Sequence, residues 1–151
     1  MFDLNRPIRV LSLLLALSVS LSANAESSSR IADYTVHYNA IQTDMLTPQI
    51  ADAYGITRSN KRGLLNVAIR KDAPNKAAGE AAEALSVTAT WTNSLGQMGQ
   101  IKMQEIREQD AVYYIGEFPL RSTDTLNFHI SVTMPGMNKQ TFTLRREFFI
   151  D

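Results

Sequence analysis

The side chains in this chain best suited to holding an ion are thioethers and imidazoles. The stretch HISVTMPGMNKQ, residues 129–140, sets His129 five positions before Met134 and Met137 three positions after it. Thioether sulfur and imidazole suit a soft ion such as Cu(I). His37, Met98 and Met103 are further side chains from which such a set could be completed. Two physical points weigh against it. Successive side chains of an extended strand point to opposite faces, so His129 and Met134 should part company. Pro135-Gly136, between the two methionines, is also the pair that the centre of a type II turn requires. A turn therefore explains the motif without a ligand. Copper remains the alternative reading, with His37, His129, Met134 and Met137 as its candidate ligands, and no cofactor is assigned.

Other chemistry is sparse. The chain has no cysteine, which excludes thiolate nucleophiles and zinc–thiolate sites. No G-x-S-x-G elbow, phosphate-binding G-x-x-x-x-G-K-[ST] loop or H-E-x-x-H helix occurs. Glu105, Glu108, Asp110 and Glu117 gather in one stretch, where pairing with Lys102, Arg145 or Arg146 on a solvated face is the expected role. The sequence thus reads as a non-enzymatic binding domain. Its candidate interaction residues are the basic loop Arg58, Lys61 and Arg62, which could hold an anion or an acidic partner, and the pair Tyr113-Tyr114. Adjacent tyrosines on a strand face opposite ways, so one is expected inside and one outside.

These residues must be positioned by whatever follows the N-terminus. Arg6 and Arg9, the apolar run Val10 to Leu21 and the small residues of Ala23-Asn24-Ala25 form a secretory signal, with cleavage expected after Ala25. The apolar run is shorter than the ~20 residues a membrane span needs, so no stable span is expected once it is removed. Residues 26–151 then form one domain. The signal takes Arg6, Arg9 and Asp3 from the fifteen basic and fifteen acidic side chains, leaving a net charge near −1. That balance gives no reason to expect nucleic acid as a partner. Export without cysteine points to the periplasm, and a protein or envelope component is the expected partner. Nothing in the sequence sets the oligomeric state.

Alternation dominates the remainder. Tyr34 to Ala40, Gly63 to Lys71, Leu85 to Thr92, Gln100 to Arg107, Ala111 to Phe118, Leu126 to Met134 and Gln140 to Ile150 read as strands. Thr47 to Gly55 reads as the one short helix, with Thr47 as cap, Pro48 at its first turn and Gly55 at its end. Residues 72–84 read as a loop. About seven strands with short polar turns predict an all-β fold, an immunoglobulin-like antiparallel sandwich. Trp91, Phe128, Ile130, Val67 and Leu85 are expected to meet between its sheets. Asn66, polar within an apolar strand, is expected at a sheet edge.

The strings DYTVHYNA, AYGITRSNKRGLLNVAIRK and IREQDAVYYIGEFPL resemble an exported proteobacterial family, the one catalogued as domain of unknown function 4426. The resemblance runs from about Ile31 to Phe149. It implies a small all-β periplasmic domain, and it implies no reaction, cofactor or functional residues.

Overall fold

The computed structural model describes residues 27–73, 75–108 and 112–150. The expected signal segment and Asp110 lie outside these residues.

Alternation builds two antiparallel sheets. In the first, β1 (Ser27–Ile31), β2 (Tyr34–Gln42), β3 (Arg62–Ala73), β8 (Val112–Pro119) and β7 (Gln104–Arg107) lie side by side in that order, with β4 (Lys76–Ala81) also paired to β3. The second runs β10 (Gln140–Phe148), β9 (Asp124–Thr133), β5 (Ser86–Thr92) and β6 (Met98–Ile101). The architecture is an open β-sandwich. Its core lies between the sheets, where Val36, Leu65, Val67 and Ile69 oppose Phe128, Ile130, Val132 and Leu144. Phe118 reaches across to Phe128 edge-on, with ring centroids 4.8 Å apart, and to Phe148 at 5.6 Å. Burying each such ring is worth about 1.5–3 kcal/mol, and its edge contacts add roughly 0.5–1.5. No helix among the described residues is long and apolar enough to cross a membrane.

The helix α1 (Pro48–Tyr54) forms as its caps dictate. Thr47 Oγ1 accepts from Ile50 N–H at 3.3 Å, Pro48 occupies the first turn, and Gly55 ends the helix with φ 66°. Its apolar face is Ile50 and Ala51, which with Leu46 and Ile56 cover Leu64 on the outer side of the first sheet. A 3-10 turn, Thr43–Met45, links β2 to it.

Among the described residues ten strands form where about seven are expected, for three reasons. β1 has a sequence, SSSRI, with almost no apolar signal, and is held by its register on Tyr34 to Tyr38. β4 arises inside the expected loop because β3 continues past the end of β8 and offers a free ladder from Arg70 to Ala73. The expected strand from Gln100 to Arg107 is two strands. It breaks at Lys102-Met103, where the chain leaves the second sheet as β6 and enters the first as β7. Asn66 lies on β3, flanked by β2 and β8, so it sits inside the sheet and not at its edge.

One expected core residue is displaced, and another packs at the margin of the core. Leu85 is 69% exposed, because the chain crosses between the sheets just before β5 and Ala82 and Ala84 take the core positions there. Trp91 is half-buried, and its ring lies over Gly99 of the neighbouring β6.

Candidate interaction site and metal ligands

The turn at the end of β9 follows its sequence. Met137 N–H donates to Met134 O at 3.1 Å and Gly136 has φ 73°, the left-handed value that the third position of a type II turn needs. Met134 is 1% exposed in the core, while His129 is exposed on the outer face of the second sheet. His37 lies on the opposite parity of β2 from the core residues Val36 and Tyr38, so it is on the outer side of the first sheet. Sheets stack about 10 Å apart, and the two histidines therefore cannot share one ion. Met137 is half-buried against the core, Met103 packs beside Gly116, and Met98 is 72% exposed on β6. Among the described residues, no three His, Asp or Glu side chains are grouped to hold a metal ion.

The basic loop is better organised than its composition announces. Thr43, at 0% exposure, lies beneath it. The single Thr43 hydroxyl proton is shared between Thr57 O at 2.9 Å and Ser59 O at 3.1 Å, and the same oxygen accepts from Ser59 N–H at 2.9 Å. Arg58 donates to the carbonyl of Asp44 at 2.8 Å, a bond that fixes the guanidinium without neutralising it. Lys61 O accepts from Leu120 N–H at 2.9 Å, which brings the exposed Arg121 alongside. Arg62 reaches Glu117 at 3.5 Å, an exposed pair of little energetic weight. One end of the sandwich thus presents Arg58, Lys61 and Arg121 on pinned backbone.

The tyrosine pair divides as adjacency requires. Tyr114 is buried, so only Tyr113, half-buried on the outer side, is left near a surface. The Tyr114 hydroxyl accepts from Ala84 N–H at 2.8 Å, and burial raises its pKa. The carboxylates do not pair as expected. Glu105 and Glu83 both engage Arg107, Glu117 meets Arg62, and Glu108 accepts from Tyr54 on α1. Burial, with Glu108 adding to it, holds the Tyr54 phenol well above its ordinary pKa.

Sequence reading missed one polar junction. Arg146 lies on the inward parity of β10, where its predecessors Phe142 and Leu144 are apolar, and it donates to Asn39 Oδ1 on β2 at 2.6 Å. Desolvation lowers the Arg146 pKa. On the adjacent strand, Asn66 Oδ1 is buried without a hydrogen-bond partner among the described residues. A charge interrupting an apolar parity was the available signal.

The family model for DUF4426, a domain of unknown function, matches residues 28–151. The chain belongs to this family. A crystal structure of a DUF4426 protein from Pseudomonas aeruginosa PAO1 superposes with a TM-score of 0.68 and 32% identity, covering 83% of this chain and 96% of the other. A copper-bound variant of FetP from uropathogenic Escherichia coli strain F11 superposes with a TM-score of 0.54 at 12% identity, covering 83% and 95%. FetP as isolated, after recombinant expression in the E. coli periplasm, gives the same values. At that identity the likeness to FetP is one of fold. No curated protein matches the sequence.

Proposed function

We propose that this DUF4426 protein is a non-enzymatic, exported sandwich domain that binds an anionic protein or envelope component in the periplasm through its basic loop. The observation that carries this reading is the Thr43 clamp. Ordering a flexible cationic loop on binding would cost entropy, whereas a loop already held by buried hydrogen bonds presents Arg58, Lys61 and Arg121 at little further cost. Export is supported by the signal-like N-terminus. Co-purification from periplasmic and envelope fractions tests the reading with an Arg58→Ala/Lys61→Ala/Arg62→Ala variant. Its bound material should fall away while its melting temperature holds; an unchanged set of bound species would reject the loop as the site.

Copper handling is the second reading, favoured by the fold shared with copper-bound FetP. The four candidate ligands do not fit one ion, because His37 and His129 occupy opposite outer faces. A site would have to draw on Met134 and Met137 at the turn. Cu(I) titration decides: equal affinity in wild type and a Met134→Leu/Met137→Leu variant excludes the turn.

A further inference from the structure

The free strand edges of the described residues differ in charge. β1 carries Arg30, bonded to Asp72; β7 carries Glu105 and Arg107; β4 carries Glu80; β10 carries Arg145 and Glu147. β6 carries none, and no residue from Ala84 to Ile101 is charged. Charges on an edge strand normally block strand-on-strand association. The β6 edge lacks that protection.

Its backbone is also poised to pair. Among the described residues, β6 has β5 on one side and no strand of its own sheet on the other. Asn93 N–H donates to Gln97 O at 2.9 Å, which fixes the alternation of the β5–β6 ladder. Counting from that pair, Trp91 and Gly99 exchange bonds, whereas the N–H and C=O groups of Met98 and Gln100 point away from β5. A Cβ on Gly99 would lie 2.7 Å from the Trp91 indole. Glycine therefore lets the ring cross β6 toward its open edge. On the other face Met98 stands 72% exposed, and at the hairpin tip Leu95 stands 82% exposed.

We infer that two copies of this chain pair through β6, antiparallel, about a two-fold axis at Gly99. In that register Met98 of one copy exchanges both backbone hydrogen bonds with Gln100 of the other, and the reciprocal pair does the same. All four outward-pointing groups are then satisfied, the second sheet becomes continuous across the dimer, and the two indoles meet over the paired glycines. No charged side chain lies on either β6 strand. Self-pairing through β10 would instead bring the exposed Arg145 of each copy into the seam. A four-residue strand and a hairpin tip cover less than the ~800 Å² per partner of a standard interface. The dimer is accordingly weak and concentration-dependent.

Sedimentation velocity on the exported protein, from low micromolar to submillimolar concentration, tests this. Wild type should pass from monomer to dimer. Met98→Lys, at a side chain already in solvent, should stay monomeric with an unchanged melt, and Thr143→Lys on the β10 edge should dimerise like wild type. Trp91, the only tryptophan, should shift its emission to the blue with concentration in wild type and in Thr143→Lys, but not in Met98→Lys. Hydrogen exchange at Met98 and Gln100 should slow in parallel. A wild type monomeric throughout the range overturns the inference, as does a dimer that survives Met98→Lys with those amides exchanging freely. Arg58→Ala/Lys61→Ala should dimerise normally, so this inference and the basic-loop reading fail separately.

Discussion

Two surface loops of the sandwich are each held by one side chain, and they present opposite surfaces. Beneath the loop before β3, Thr43 is fully buried and bonds the backbone of Thr57 and Ser59. In the β5–β6 turn, the half-buried Asn93 uses Oδ1 to accept from Leu95 N–H at 3.1 Å and Gln97 N–H at 2.8 Å. The first holds up arginine and lysine; the second holds a leucine in solvent with no charge on either strand beside it. Rigid presentation is common to both, and charge alone separates what each can meet. A cationic loop suits an anionic partner and responds to salt, while a neutral edge suits another neutral edge.

Breaking the clamps should separate the loops by depth. Thr43→Val keeps the volume but leaves two carbonyls and an N–H beneath the loop without their partner. Each unsatisfied buried group costs about 1–3 kcal/mol, and we expect a total loss near 2–3 because water reaches part of the loop. Urea denaturation measures it, and hydrogen exchange at residues 57–62 should accelerate. Asn93→Ala should cost only about 1 kcal/mol, since its partners can turn to water, and it should free Leu95 without touching the basic loop. Equal losses from the two substitutions would contradict the difference in depth.

The smallest effect concerns the tie between the neutral hairpin and β9. Ser94 donates to the Asp124 carboxylate through its hydroxyl and backbone, and Thr125 N–H donates at 2.7 Å; the Ser94 hydroxyl bond is the leading reason that the Asp124 pKa is lowered from its ordinary 3.8. A carboxyl with a depressed folded-state pKa adds stability above its unfolded pKa and loses it as pH falls through the folded value. The tie is therefore intact at neutral pH and fails only in acid, below about pH 4. Asp124→Asn should flatten that acid limb slightly and leave the neutral melt close to wild type. A variant whose stability falls as steeply in acid as wild type would dissociate Asp124 from this behaviour.

What was legible in the sequence was local. The strict alternation from Leu126 to Met134 gave β9 and put His129 and Met134 on opposite faces, and Pro135-Gly136 gave the turn. Thr47, Pro48 and Gly55 gave the helix and both its ends. Strands with no apolar pattern were invisible, as with SSSRI of β1, because a neighbour's free ladder and not their own burial holds them. Contacts across sequence distance were also out of reach. Arg58, Lys61 and Arg62 could be named as a basic loop, but the clamp on them comes from Thr43, sixteen residues from Ser59, and the Asn39–Arg146 junction spans 107. Tyr114, an interaction candidate on sequence, lies inside, because adjacency tells that one tyrosine is buried without telling which.

The claim that the pinned cationic end is the binding surface is tested most directly by retention on the envelope fraction as salt is raised. Wild type should be retained at low ionic strength and released as screening shortens the reach of exposed charge. Thr43→Val should lose part of that retention, and Arg58→Ala/Lys61→Ala/Arg62→Ala, which keeps only Arg121 of the presented cations, should lose most of it. Retention of the triple variant equal to wild type, with the same salt curve, would contradict the account.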